Sequence, residues 1–100
     1  MMIYQIGFPS ESVEKHFIKE LSELTRNYLY SIKTAINKLS IDPKPAGKKF
    51  KFLKPPISLG YYVAQYRLRV GDYRVLYDID EQNKKVILLS VKRRSEKTYR

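Results

Sequence analysis

From residue 11 onward the apolar positions fall first at helical spacing and later at strict alternation. Val13, Phe17, Leu21 and Leu24 recur every three or four residues, which places them on one helix face. Glu11, Glu14, Lys15, Lys19 and Glu23 take the other side, and Ser10 and Ser12 offer capping oxygens ahead of the run. Thr25 offers a second cap before Tyr28, Leu29, Ile32, Ile36 and Leu39, which continue the period. The pattern predicts helices over 11–23 and 26–39. Asp42-Pro43 and Pro45 end them, because proline lacks the amide donor and bars its predecessor from helical backbone.

The β-branched and aromatic stretch at 2–8, closed by Pro9, predicts a strand before the helices. Three more strands are predicted at 64–70, 73–79 and 85–93. Gly71-Asp72 joins the first two as a tight hairpin, and Asp80 to Lys84 makes a longer polar turn between the next two. The intervening stretch, 42–62, holds Pro43, Pro45, Gly47, Pro55, Pro56 and Gly60 and reads as a loop-rich segment. The order is β-α-α-β-β-β. It predicts one α+β domain spanning 1–100, with two N-terminal helices packed on a largely antiparallel four-stranded sheet.

Charge changes this picture. The chain carries 20 Lys and Arg against 10 Asp and Glu. Residues 1–40 hold five basic and four acidic side chains, whereas residues 41–100 hold fifteen and six. Such an asymmetry points to an anionic partner. Lys48, Lys49 and Lys51 alternate in part with Phe50 and Phe52, a composition suited to phosphate contact and base stacking. The same residues also fit a solvated loop whose Phe side chains fasten it to the core. With no Cys there is no disulfide framework and no thiolate zinc site, and no cofactor or metal is expected. No apolar run approaches the roughly 20 residues that span a bilayer, so the expectation is a soluble, cytoplasmic protein with no membrane partner.

Hairpin geometry concentrates the charge. If Val70 and Tyr73 flank the turn, Arg69 faces Arg74, Leu68 faces Val75 and Tyr66 faces Tyr77. Tyr66, Leu68, Val70, Tyr73, Val75 and Tyr77 then cover the helices, and Arg67, Arg69 and Arg74 converge on the opposite face. Like charges directly opposite each other destabilise a sheet, and an anion lying across them reverses the sign. If Ile79 pairs with Val86, Arg93 joins this face; a one-residue slip brings Lys92 instead. Arg94, Lys97 and Arg100 continue the positive charge around Tyr99. His16 lies on the first helix, remote in sequence from the arginines, and Asp78, Asp80 and Glu81 read as hairpin-turn residues rather than a metal site.

Tyr66 to Tyr77, with Arg-Val-Gly-Asp-Tyr-Arg at its centre, and the closing Lys-Arg-Arg-Ser-Glu-Lys-Thr-Tyr-Arg at 92–100 resemble the RelE/ParE toxin superfamily. The resemblance covers nearly the whole chain and matches residues 44–62 only loosely. It implies a toxin of a type II toxin–antitoxin system. In the RelE branch this is a metal-independent endoribonuclease that cleaves messenger RNA on the ribosome and is neutralised by a cognate antitoxin. The toxin would be a monomer alone and a hetero-oligomer with the antitoxin. On that resemblance Arg67 and Arg69 orient the RNA, with Arg69 reaching the reacting groups. Arg74 stabilises the scissile phosphate, Arg93 is a further phosphate ligand or proton donor, and Tyr99 helps activate the 2′-hydroxyl. Lys48, Lys49, Lys51, Arg94 and Lys97 extend the RNA-binding surface. The chain departs from the branch by carrying Arg where Lys is common on the first hairpin strand. Arg holds its proton too tightly to shuttle it at neutral pH, so electrostatic stabilisation is the role expected there. A gyrase-inhibiting toxin of the ParE branch and an RNA-binding module without cleavage are the competing readings.

Overall fold

The computed structural model of the chain describes residues 3–93. The elements are β1 (Gln5–Gly7), α1 (Glu11–Ser22), α2 (Arg26–Leu39), β2 (Phe50–Leu59), β3 (Tyr62–Val70), β4 (Tyr73–Asp80) and β5 (Lys85–Arg93). Both helices start and end within a residue of the positions that the apolar spacing predicts. Ser10 caps α1 with extended backbone and a side-chain oxygen that accepts the Val13 N–H at 3.2 Å. Thr25 stands at the N-cap of α2 without a side-chain capping bond.

The strands form one sheet in the order β1-β5-β4-β3-β2. β1 joins β5 in parallel and every other pairing is antiparallel. The α+β class stands, but the sheet has five strands where the sequence pattern predicts four. The extra one is β2, inside the segment read as loop. Pro55 and Pro56 argue against a central strand, yet β2 is the sheet's edge, where a missing N–H costs no ladder bond. The pairing with β3 is interrupted between Phe52 and Ile57, at the prolines, and resumes beyond them.

The sheet buries side chains on both faces. On the helical side, Phe17, Ile32, Ile36 and Leu39 pack against Leu68, Val75, Tyr77, Val86, Leu88 and Val91. Tyr66, Val70 and Tyr73 join them, as the hairpin geometry requires. Tyr77 is fully buried and its hydroxyl donates to the Pro43 carbonyl at 2.7 Å. Burial pushes that phenol well above its ordinary value, so it serves as a neutral donor that ties the segment after α2 to the sheet. On the opposite side a smaller cluster joins Leu53, Ala64, Leu76 and Leu89, all contributed by strands. The far face is thus half apolar and half cationic.

Candidate nucleic-acid interface

The cationic half begins at the turn between β3 and β4. Gly71 adopts a φ of 59° in the first turn position, where a two-residue hairpin of type II′ favours glycine. A Cβ there would meet Tyr28 Cε1 at 3.0 Å. Tyr28, from α2, is itself held twice: its ring packs edge-on against Tyr73 at 4.9 Å and its hydroxyl donates to Asp72 at 2.9 Å. That carboxylate raises the Tyr28 pKa through the hydrogen bond first and its charge second. A helix side chain therefore clamps the turn from which the arginines project.

The clamp fixes register. Val70 pairs with Tyr73, Arg69 with Arg74, Leu68 with Val75, Arg67 with Leu76 and Tyr66 with Tyr77. Residues directly opposite share a face, so Arg69 and Arg74 form one cationic rung. Lys51 on β2 pairs with Arg67, beginning the next rung. The Arg69 N–H donates to the Lys49 carbonyl at 2.8 Å, which brings the backbone of that basic segment beside the first rung. Lys48 and Lys49 precede β2 and are exposed. The Nε atoms of Arg67 and Arg74 are buried, so these side chains lie along the sheet before reaching solvent.

Arg93 corrects an expectation. Ile79 does pair with Val86, yet the ladder shifts by one residue between Leu76 and Tyr77. Leu76 faces Ser90 while Tyr77 faces Leu88, leaving Leu89 as a bulge. The shift sets Lys92 opposite Arg74 and Arg93 opposite Tyr73. Arg93 therefore leaves the Arg69–Arg74 rung, and its guanidinium carbon sits 5.9 Å from the Tyr73 ring centre. Lys92 completes the rung instead. Tyr99, Arg94 and Lys97 lie outside the described residues.

Lys92 also shows what the sequence pattern misses. Its Nζ lies 3.2 Å from Glu20 Oε2 on α1. The same carboxylate accepts the Ser90 hydroxyl at 3.0 Å and the Val91 N–H at 3.1 Å. β1 pairs with β5 only as far as Ile87, so Glu20 satisfies a backbone donor that the short strand leaves open. His16, exposed on α1, lies 3.7 Å from the Glu20 oxygen that also holds Lys92. Asp80 accepts from Asn83 and closes the β4–β5 turn. Glu81 is held by Tyr4, Lys44 and Lys84. Among the described residues no cluster of His, Cys, Asp or Glu has the arrangement of a metal site. None of the described helices is long and apolar enough to cross a membrane.

A groove of about 750 Å³ opens beside the first rung. Tyr28, Ser31, Ala35 and Leu39 of α2 form one wall, Leu68, Val70 and Gly71 another, and Lys38, Lys49, Arg69 and Asp42 carry charge along it. It depends on where α2 crosses β3, which no local pattern encodes.

The family model described as "ParE toxin of type II toxin-antitoxin system, parDE" matches residues 9–98. Among solved structures, the archaeal RelE–RelB complex from Pyrococcus horikoshii OT3 is similar with a TM-score of 0.71 and 25% identity, over 95% of this chain and 99% of that one. The toxin–antitoxin complex RelBE2 from Mycobacterium tuberculosis follows with a TM-score of 0.65 and 25% identity, over 96% and 97%. A mutant of the E. coli toxin RelE in the free state shares the fold with a TM-score of 0.57 and 19% identity, over 94% and 86%. No curated protein matches the chain. Fold, hairpin and matched segment define a toxin of the RelE/ParE superfamily. The chain belongs to the ParE toxin family of type II toxin–antitoxin systems.

Proposed function

We propose that this toxin is a metal-independent endoribonuclease that cleaves messenger RNA on the ribosome. The observation that carries the reading is the rung Arg69–Arg74–Lys92 with Lys51–Arg67 beside it, all on one face. In the reaction the RNA 2′-oxygen attacks the adjacent phosphorus. The P–O5′ bond breaks, a 2′,3′-cyclic phosphate forms, and the proton lost by the 2′-hydroxyl is matched by one gained at the 5′-oxygen. The protein must hold the strand in line and stabilise the added negative charge on phosphorus. Arg74 and Arg69 serve the phosphate through planar, permanently charged forks. Arg67 and Lys51 hold the flanking backbone, with Lys48, Lys49, Arg94 and Lys97 extending the track. Lys92 takes the role assigned to Arg93 because the register sets it opposite Arg74; its ammonium, which rests 3.2 Å from Glu20, would turn from that carboxylate to give a proton to the leaving oxygen. Tyr99, whose phenol ordinarily titrates near pH 10, would take the proton from the 2′-hydroxyl as its phenolate, the form that positive charge beside it favours. No paired acid and base of the ordinary kind belongs to this set, which accounts for reliance on the ribosome to position the strand.

The cognate antitoxin is the protein partner in this reading. The toxin is a monomer alone and a hetero-oligomer with it, in the cytoplasm. An amphipathic acidic segment suits the groove between α2 and β3, whose apolar walls carry Lys38, Lys49 and Arg69.

The ParE family match favours a second reading, inhibition of DNA gyrase without RNA cleavage. Mapping transcript 5′ ends after expression, in parallel with a supercoiling assay on the purified toxin, separates the two. New 5′ ends that vanish with Arg74→Ala support the nuclease. Intact transcripts with blocked supercoiling support the gyrase inhibitor.

A further inference from the structure

The β2–β3 hairpin carries a second surface that the reaction face does not use. Between Pro43 and Gly71 the chain has seven Lys and Arg and no Asp or Glu. The hairpin is thus a cationic unit, and its two faces differ. The far face presents Lys51, Arg67 and Arg69, described above. The other face, on the side of the helices, carries a run of aromatic rings that begins in the core and ends in rings left exposed. Phe50 stacks on Tyr66 with ring centres 5.8 Å apart and 20° between planes, and Phe52 lies 5.4 Å from the same ring. Lys54 stands over Phe52 at 5.3 Å and Lys44 over Tyr66 at 5.6 Å. Phe52 is 44% exposed, and Tyr61 at the hairpin tip is 99% exposed.

Buried aromatics need no ligand to explain them, and Phe50 and Tyr66 pack on the core. Phe52 and Tyr61 are different, since the fold leaves them in water. An apolar ring kept exposed between lysines, on a hairpin without acids, has the composition of a platform for single-stranded nucleic acid. Rings stack unpaired bases while ammonium groups hold the phosphates. A protein partner would find little there to satisfy except positive charge. Lys44 marks the limit of the strip, because Glu81 lies 3.3 Å from its Nζ and neutralises that end.

We propose that the β2–β3 hairpin is a second RNA-binding surface, with Phe52 as the stacking ring, Lys54 as its phosphate contact and Tyr61 as a further ring at the tip. It would hold single-stranded RNA outside the arginine rungs, on the opposite face of the same hairpin. The inference rests on RNA being this toxin's target. It makes the hairpin a two-sided device, one side for the reacting phosphate and the other for anchoring.

The chain has no Trp, so Phe52→Trp installs a unique fluorophore at an exposed position. The experiment titrates Arg74→Ala/Phe52→Trp toxin with a 12-nucleotide oligoadenylate RNA, using the Arg74 change to prevent cleavage. Stacking is expected to quench the indole emission by about half, and a duplex RNA of the same length, whose bases are already stacked, to quench far less. In the Arg74→Ala background, Phe52→Ala is expected to weaken oligoadenylate binding about tenfold, and Lys54→Ala to lower the log K against log salt slope by about one. Binding with unchanged indole emission, or equal quenching by duplex, overturns the second surface while leaving the nuclease reading intact. Failure to bind either RNA, with circular dichroism showing a folded protein, also overturns the second surface, whereas the nuclease reading is overturned only by absence of cleavage on ribosomes.

Discussion

Arg69 and Arg74 stand directly opposite each other across a two-residue turn, two guanidinium side chains at one rung of a sheet. Such a pair works against folding, because like charges at facing positions repel. An anion held across the pair, as the proposed function requires, reverses the sign of that interaction. Arg69→Thr removes the repulsion and installs a good strand former. The expected outcome is a midpoint of thermal unfolding that rises by a few degrees, from a gain of a few tenths of a kcal/mol to about 1 kcal/mol. Cleavage by the same variant should fall at least tenfold. Calorimetry beside a cleavage assay checks the two together, and a variant both less stable and fully active would contradict the assignment.

The Gly71–Tyr28 contact sets the rung's geometry. Gly71→Ala forces a side chain into positive φ and against a ring already fixed by Tyr73 and Asp72. A loss of about 1–2 kcal/mol is expected from the backbone alone. Adding Tyr28→Ala relieves the steric part, so the double variant should lose less than the sum of the single ones. Urea unfolding of the four proteins in this cycle measures the coupling, and strict additivity would show that Tyr28 does not clamp the turn.

Acid should loosen the far end of the molecule. Hydrogen bonding from Tyr4, helped by Lys44, holds the Glu81 carboxyl below its ordinary value, and Asn83 does the same for Asp80. A carboxylate whose folded value is depressed adds stability above its unfolded value, and loses that contribution as pH falls through the folded one. Glu81→Gln should therefore lower the unfolding midpoint at about pH 7, and the deficit should shrink as the pH is taken toward about 3. A deficit that stays constant over that range would mean that Glu81 acts through packing rather than charge.

The sequence exposed the hairpin well and the strands around it unevenly. Gly71-Asp72 admits one short turn, and a fixed turn determines which residues face each other from Val70–Tyr73 down to Tyr66–Tyr77. Nothing local marks the bulge at Leu89. Leu88, Leu89, Ser90 and Val91 are all buried, so their run has no alternation to betray a one-residue shift. That is why the sequence leaves open whether Arg93 or Lys92 is the third member of the rung, and why pairing Ile79 with Val86 points to the wrong one of the two. β2 was hidden by Pro55 and Pro56, which an edge position tolerates and a central one does not. Glu20 was invisible for another reason. Its role depends on β1 stopping at Gly7, which leaves the Val91 N–H to a helix side chain that lies far away in sequence.

Arg74, as the residue that stabilises the reacting phosphate, is the centre of the proposed chemistry. The most direct measurement is single-turnover cleavage of messenger RNA in a reconstituted translation reaction, comparing wild-type toxin with Arg74→Ala. Wild type should generate discrete new 5′ ends. The variant should retain fold and RNA affinity but cleave about 100-fold or more slowly, as expected for loss of one group that stabilises transition-state charge. Equal rates for the two proteins, or no cleavage by wild type on programmed ribosomes, would contradict it.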